Sequence, residues 1–182
     1  MRDTVKPTDV VGIVGIGGLG HLAIQFAAKM GCEVVCLSST DAKKEEALGL
    51  GAHYFLATKG ATSLSVEHKI NRLLVTTSQQ IDWDLYKDIL SPMATIFPLT
   101  VEDDKAKLEV PYMRFLLQGW KFVGSTNPTR NGYEEMLAFA ALHKVKPIIQ
   151  KFPLTADGVE SSLKTLGEGK MRYRGVLVAD GE

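Results

Sequence analysis

The feature that most constrains the fold of this chain is a glycine-rich turn, "GIGGLG" at residues 15–20. It ends a short apolar run, "DVVGIVG" at 9–15, whose β-branched residues are typical of a buried strand. The next segment, "LGHLAIQFAAKMG" at 19–31, has apolar residues at helical spacing, and "CEVVCLS" at 32–38 is a second β-rich run. The order of strand, glycine turn, helix and strand predicts a βαβ unit with two parallel strands.

Three glycines of the turn, Gly15, Gly17 and Gly20, stand in G-x-G-x-x-G spacing. The first glycine of such a turn permits the tight bend, the second leaves room for a pyrophosphate, and the third lets the helix pack close to the strand. Gly18 and Leu19 complete the turn, and the helix N-terminus behind them offers free N–H groups to phosphates. The pattern predicts a dinucleotide site at these five residues; the alternative is a turn with a structural role alone.

The first 146 residues alternate between β-rich runs and helical patterns. Further strands are predicted at 53–57, 72–78, 94–100 and 121–126, and further helices at 40–51, 82–91 and 132–145. This alternation predicts an α/β fold, a doubly wound parallel sheet of six strands with helices on both faces and right-handed crossovers.

The end of the chain has a different pattern. "KPIIQKFPL", "TADGVESSLKTLGEG" and "MRYRGVLVAD" predict a strand, a helix and a strand that do not continue the main sheet. We therefore predict two parts, a nucleotide-binding domain at 1–146 and a C-terminal strand-helix-strand appendage at 147–182.

The end of the second strand indicates which dinucleotide is bound. NAD sites carry an acidic residue there for the ribose 2′-hydroxyl, whereas this strand ends in "CLSST". Ser38, Ser39 and Thr40 offer hydroxyl donors, and Lys43 or Lys44 offers a positive charge for a 2′-phosphate. The pattern favours NADP(H).

Two alternatives to that interpretation remain open. Asp41, at the start of the next helix, could reach the ribose and favour NAD instead. The hydroxyl residues could also serve only as a helix cap, with the lysines on a solvated face.

Composition excludes several classes of partner. Lysine plus arginine and aspartate plus glutamate both number 21, so the chain lacks the basic excess that nucleic acids or anionic membranes require. No apolar run approaches the roughly 20 residues of a membrane-spanning helix. Cys32 and Cys36 fall in one predicted strand, where we expect them to be buried and unpaired, in keeping with a cytoplasmic location.

Several segments together resemble the medium-chain, zinc-type alcohol dehydrogenases: "GIVGIGGLGHLAIQFAAKMGCEV", "LGLGA" and the closing "GEGKMRYRGVLV". The strand end "SST" followed by "KK" looks like the NADP-dependent cinnamyl-alcohol dehydrogenase branch. The resemblance covers nearly the whole chain. It implies a Rossmann fold and hydride transfer between NADPH and an aldehyde or alcohol.

The resemblance also implies further cofactor contacts and a dimer. Positions that match the ribose, nicotinamide and pyrophosphate contacts of the family are Thr77, Ser78, Pro98, Leu99, Ser125, Thr126 and Arg174. Family members pair their sixth strands across a dimer axis, so we expect a homodimer through residues 119–126.

The zinc ligands of the family lie in an N-terminal domain for which this sequence has no counterpart. With two cysteines and scattered histidines, this chain offers neither a four-cysteine site nor a spaced ligand set. We expect zinc only in a full-length enzyme, no metal site or catalytic residue here, and no activity from this chain alone. Two other interpretations stay open: a stand-alone NADPH-binding sensor or scaffold, and a zinc-independent quinone or enone reductase-like relative.

Overall fold

The computed structural model describes residues 5–100, 105, 107–125 and 127–179, and most of them belong to one parallel sheet and the helices around it. The sheet has six strands in the order β3-β2-β1-β4-β5-β6, all parallel to their neighbours. The strands are β1 Val10–Val14, β2 Glu33–Ser38, β3 Tyr54–Ala57, β4 Ile70–Val75, β5 Leu90–Pro98 and β6 Lys121–Phe122. This is the predicted Rossmann topology.

Helices lie in most of the connections between strands, although the connection from β3 to β4 contains none. They are α1 Gly20–Lys29, α2 Lys44–Gly49, α3 Trp83–Tyr86, α4 Tyr112–Gln118, α5 Arg130–His143 and α6 Ala156–Gly167. A 3₁₀ turn at Asp41–Lys43 leads into α2. In the described part of the chain no helix is long and apolar enough to cross a membrane.

The core is divided between the two faces of the sheet because successive strand residues point to opposite sides. In β2, Val34 and Cys36 join a cluster with Ile24 of α1, whereas Val35 and Leu37 join a second cluster on the other face. The second cluster also contains Leu85 and Tyr86 of α3. Both faces of these strands are covered, which explains why they are continuous apolar runs in the sequence.

The order of the strands reverses next to β1. It pairs with β2 on one side and with β4 on the other, so the chain segments that leave β1 and β4 diverge over opposite faces. In open α/β sheets a crevice forms at the carboxyl ends of the strands at such a switch point. The glycine turn begins at that end of β1.

The C-terminal segment forms a small unit of its own. β7 Ile149–Pro153 and β8 Arg174–Val178 pair in parallel, and α6 connects them. This confirms the predicted strand-helix-strand arrangement. Its apolar side chains are only partly covered: Ile149 is 40% exposed and Leu177 38%.

Several predicted boundaries differ from the observed ones. The helix predicted at 82–91 is a single turn, because Ile89 and Leu90 are buried and Leu90 already begins β5. Its start was correct, since the Asp82 carboxylate accepts backbone N–H groups of α3. The strand predicted at 121–126 contains only Lys121 and Phe122. Cys32 is buried but lies one residue before β2, and α4 was not predicted.

Candidate functional site

The glycine turn is closed by contacts that leave no space for larger residues. Gly15 has a positive φ of 88°, and its N–H donates to the Leu37 carbonyl at 2.8 Å. Gly20 packs against the Gly15 carbonyl oxygen so closely that a Cβ would overlap it. The Thr76 hydroxyl lies 2.7 Å from the same oxygen and donates to it. Thr76 was not predicted, although a hydroxyl residue directly after β4 was a visible signal.

A polar cleft of about 470 Å³ opens beside this turn, at the carboxyl ends of β1, β2 and β4. Gly15 and Gly17 form one wall. A Cβ atom added to Gly17 would have no neighbouring heavy atom within 4 Å, so the turn faces open space at this residue. The cleft can therefore admit a bulky group next to the backbone of the turn.

The end of β2 supplies a wall without acidic side chains. Ser38, Ser39 and Lys43 line the cleft, whereas Thr40 and Asp41 are exposed and lie outside its lining. Lys43 reaches back to the turn, where its Nζ donates to the Ile16 carbonyl at 2.6 Å. A serine pair and an ammonium group thus converge beside the glycine turn.

A second cleft, of about 420 Å³, continues the first along the sheet edge. The two share Thr77 and residues 79–81, and the second is also lined by Ser78, Pro98 and Phe122. Segment 107–109 borders it and is held by side chains from across the cleft: Gln80 donates to the Lys107 carbonyl and Trp83 to the Glu109 carbonyl. The clefts form one elongated groove.

Leu99 and Ser125 are predicted site residues that line neither cleft. Leu99 packs against the apolar core and Ser125 is exposed away from both linings. Thr126 lies outside the described residues. Short β6 explains the position of Ser125, because the chain leaves the sheet after Phe122 instead of following the groove.

Arg174 lies beside the glycine turn although it is 154 positions away from Gly20 in the chain. Its Nε is 3.1 Å and the Tyr173 carbonyl oxygen 2.8 Å from the position a Cβ would take on Gly18. A side chain at position 18 would therefore push β8 away from the turn. The start of β8 and the glycine turn form one surface.

His21 connects the glycine turn to the C-terminal segment from the buried side of the turn. It is fully buried, its Nδ1 donates to the Gly17 carbonyl at 3.0 Å, and its Nε2 accepts the Ile148 N–H at 3.1 Å. Only a neutral imidazole with its proton on Nδ1 makes both bonds. Burial lowers the pKa of His21, which favours that neutral form.

Tyr173 completes the network. Its ring stacks on His21 with centroids 4.5 Å apart, and its hydroxyl donates to Glu46, which also accepts from Arg172. Burial is the main cause that raises the pKa of Tyr173, so its hydroxyl is protonated at neutral pH. The sequence offered no short-range signal for this network, because its members come from four separate segments.

The described residues do not form a metal centre. No group of three or more His, Cys, Asp or Glu side chains is placed to hold an ion in that part of the chain. Burial raises the pKa of the Cys36 thiol to about 12, so the thiolate that zinc requires is disfavoured.

Comparisons with known proteins agree on one family. Residues 18–141 match the family model described as zinc-binding dehydrogenase. Over 96% of its length the chain is 36% identical to an aldehyde reductase from Synechocystis sp., of which it covers 51%. Over 95% of its length it is 38% identical to a probable formaldehyde dehydrogenase from Bacillus subtilis, of which it covers 49%. The chain thus spans about half the length of the curated relatives it matches.

A solved structure agrees with these matches. A cinnamyl alcohol dehydrogenase from Sorghum bicolor superposes with a TM-score of 0.79 at 28% identity, over 96% of this chain and 48% of that one. The groove described above therefore belongs to the half of such proteins that contains the doubly wound sheet.

Proposed function

The chain belongs to the zinc-binding dehydrogenase family, and from that premise we propose that its groove binds NADP(H). The observation that carries this proposal is the glycine turn itself. Gly20 has no room for a side chain, while Gly17 faces an open cleft. A turn shaped in this way lets a pyrophosphate approach backbone N–H groups at the N-terminus of α1.

The lining at the end of β2 supports NADP(H) over NAD. Ser38 and Ser39 can donate hydroxyl protons to a 2′-phosphate, and the Lys43 ammonium supplies positive charge. A carboxylate there would repel that phosphate, and β2 contributes none to the cleft. Asp82, elsewhere in the lining, is already engaged as the cap of α3.

The rest of the groove suits the remaining parts of the cofactor. Thr77 lines both clefts and Ser78 lines the second, so both suit the ribose on the nicotinamide side, and Pro98 lines the half where the nicotinamide would lie. Arg174 lies beside Gly18, which supports a role for its guanidinium group in binding the pyrophosphate. Thr40, Leu99 and Ser125 lie outside the lining, so we propose that they contribute less to cofactor binding than the residues that line the groove. Thr126 stays a candidate for cofactor binding on resemblance alone.

For the whole protein we propose hydride transfer between NADPH and an aldehyde or alcohol. The cofactor supplies the hydride, and this chain binds and orients it. The described residues do not fit zinc, so we assign polarisation of the substrate oxygen to a part of the enzyme outside this chain, and we expect the chain alone to be inactive. In the same scheme, residues 1–146 are the cofactor domain and 147–182 a segment that packs on the catalytic domain.

The first experiment is a calorimetric titration of the chain with NADPH and NADH in parallel. We expect NADPH to bind with micromolar affinity and NADH at least about tenfold more weakly, since a hydrogen bond to a charged group contributes about 1.5–3 kcal/mol. If NADH bound more tightly, Asp41 would be the better candidate for ribose recognition. If neither bound, a scaffold role would replace cofactor binding.

A pair of adjacent lysines provides the matched control. Lys43→Met should weaken NADPH binding about tenfold and leave NADH binding unchanged, because only NADPH carries the 2′-phosphate. Lys44→Met should change neither affinity, since Lys44 is absent from the lining. Equal effects of the two substitutions on NADPH would contradict a specific 2′-phosphate contact and indicate a general charge effect.

A further inference from the structure

The contacts of Lys43 suggest that its position is controlled from the far end of the chain. Its Nζ lies 5.3 Å from the centroid of the Tyr173 ring, within the range of a cation–π contact. The same ammonium donates to the Ile16 carbonyl. A lysine ammonium has three N–H donors, so the bond to Ile16 leaves capacity for an anion in the cleft.

Tyr173 is held more firmly than a surface aromatic residue. It is 7% exposed, and its ring stacks on the buried His21. Its hydroxyl donates to Glu46, and the backbone carbonyl packs on Gly18. The ring orientation is therefore fixed by contacts on α1, on α2 and on the glycine turn.

The backbone of Tyr173 is in an unfavourable conformation for a residue with a side chain. Its φ is +60°, in the left-handed region that favours glycine. Such a conformation is unfavourable for a residue other than glycine and persists only where surrounding contacts determine it. It turns the chain so that the Tyr173 ring faces α1 and α2 while Arg174 lies against the turn.

We propose that Tyr173 is a positioning residue for 2′-phosphate recognition, which holds the Lys43 ammonium beside Ser38 and Ser39 through its ring. This inference rests on the proposed NADP(H) site and adds to it a specificity residue outside the cleft lining. Because Tyr173 directly precedes β8, the preference for NADPH over NADH depends on the packing of β8 against the glycine turn. The stack on His21 keeps the ring in the orientation that Lys43 requires.

The test compares two ligands that differ only in the 2′-phosphate. Affinities of the chain for 2′,5′-ADP and for 5′-AMP are measured by calorimetry, and their ratio reports recognition of that phosphate alone. Tyr173→Leu should lower the ratio about two- to fivefold, the effect of an accessible cation–π contact. Tyr173→Phe keeps the ring and should retain the wild-type ratio within about twofold.

A double variant separates positioning from general damage. In a Lys43→Met background, Tyr173→Leu should cause no further decrease of the ratio, because the residue it positions is already gone. A loss of affinity for both ligands by the same factor in Tyr173→Leu would overturn the inference, since a purely structural role has that result. Failure of the wild-type chain to bind either ligand would instead overturn the proposed cofactor site.

A measurement on the wild-type chain covers the case in which Tyr173→Leu does not fold. The ε-methylene NMR signal of Lys43 should be displaced by the ring current of Tyr173. Addition of 2′,5′-ADP should shift this signal and the Tyr173 ring signals, whereas 5′-AMP should leave both within the line width. Equal responses to the two ligands would contradict the proposed role.

Discussion

At the scale of single residues, Gly20 and Gly17 of the glycine turn have different roles, the first structural and the second functional. A Cβ on Gly20 would overlap the carbonyl oxygen of Gly15, and backbone cannot move aside as a side chain can. We expect Gly20→Ala to reduce the free energy of unfolding by about 3 kcal/mol, the upper range for overpacking, and to abolish NADPH binding. Urea denaturation and calorimetry would measure the two effects.

Gly17 provides the matched comparison because its Cβ position faces open space. Gly17→Ala should change the free energy of unfolding by less than about 0.5 kcal/mol yet weaken NADPH binding, since the methyl group would occupy space needed by the pyrophosphate. If Gly17→Ala bound NADPH as the wild type does, the phosphates would not pass over this residue.

Protonation of His21 should make the stability of the fold depend on pH. Its folded-state pKa is lowered by burial from the ordinary value of 6.5, so the unfolded chain takes up a proton before the folded chain does. The free energy of unfolding should therefore decrease as pH falls from about 6.5 towards the lowered folded pKa, by up to about 1.4 kcal/mol per pH unit. Urea midpoints between pH 5 and 8 would measure it.

The control for that prediction is His21→Gln, which removes the titrating group and leaves other ionisable residues in place. The difference in stability between wild type and variant should shrink as pH falls below about 6.5. If both proteins lost stability in parallel, protonation of other groups would explain the acid sensitivity, and the neutral hydrogen-bonded His21 would not be its cause.

At the scale of helices and strands, α6 and α1 differ in what covers their apolar residues. Leu163 of α6 is 63% exposed, whereas Ile24 of α1 is fully buried between α1 and the sheet. Ile24→Ala should cost about 2–5 kcal/mol in free energy of unfolding and Leu163→Ala less than about 0.5 kcal/mol, as measured by urea denaturation. A comparable cost at both positions would mean that the face of α6 is covered in solution.

The same scale explains which elements the sequence predicted well. The β1-turn-α1-β2 unit was found because its periodicity, glycines and β-branched runs are all local signals. The helix predicted at 82–91 is too long because the adjacent apolar residues of "DILS" are compatible with a helix or with a strand. Ile89 and Leu90 are buried, and Leu90 begins β5. α4 begins after Pro111 and is followed by Gly119, whose φ lies in the left-handed region. This proline and this glycine are local signals from which α4 could have been predicted.

At the scale of the whole molecule, the edge of the main sheet bears on self-association. Among the described residues β6 pairs with β5 alone, and an edge strand of this kind favours pairing with another chain. α4, directly before β6, exposes Leu117 at 75%. We propose a homodimer through 119–126 and expect analytical ultracentrifugation to find dimers that Leu117→Lys converts to monomers.

Leu142 of α5 provides the control, because it is 77% exposed and lies on a different helix. Leu142→Lys should leave the dimer intact. A wild-type chain that sedimented as a monomer at all concentrations tested would contradict the dimer. Equal dissociation by both substitutions would indicate nonspecific association of apolar surface in place of an interface at β6.

The sequence alone determined the alternation of strands and helices, the glycine turn and the hydroxyl and lysine residues at the end of β2. These features depend on neighbours within a few positions, where spacing, glycine conformation and strand-end position can be read directly. Only the tertiary structure decided that His21, Glu46, Lys43 and Tyr173 meet, since up to 152 positions separate them along the chain. It also separated Lys43 from Lys44 and excluded Ser125 from the groove, because such choices depend on packing between distant segments.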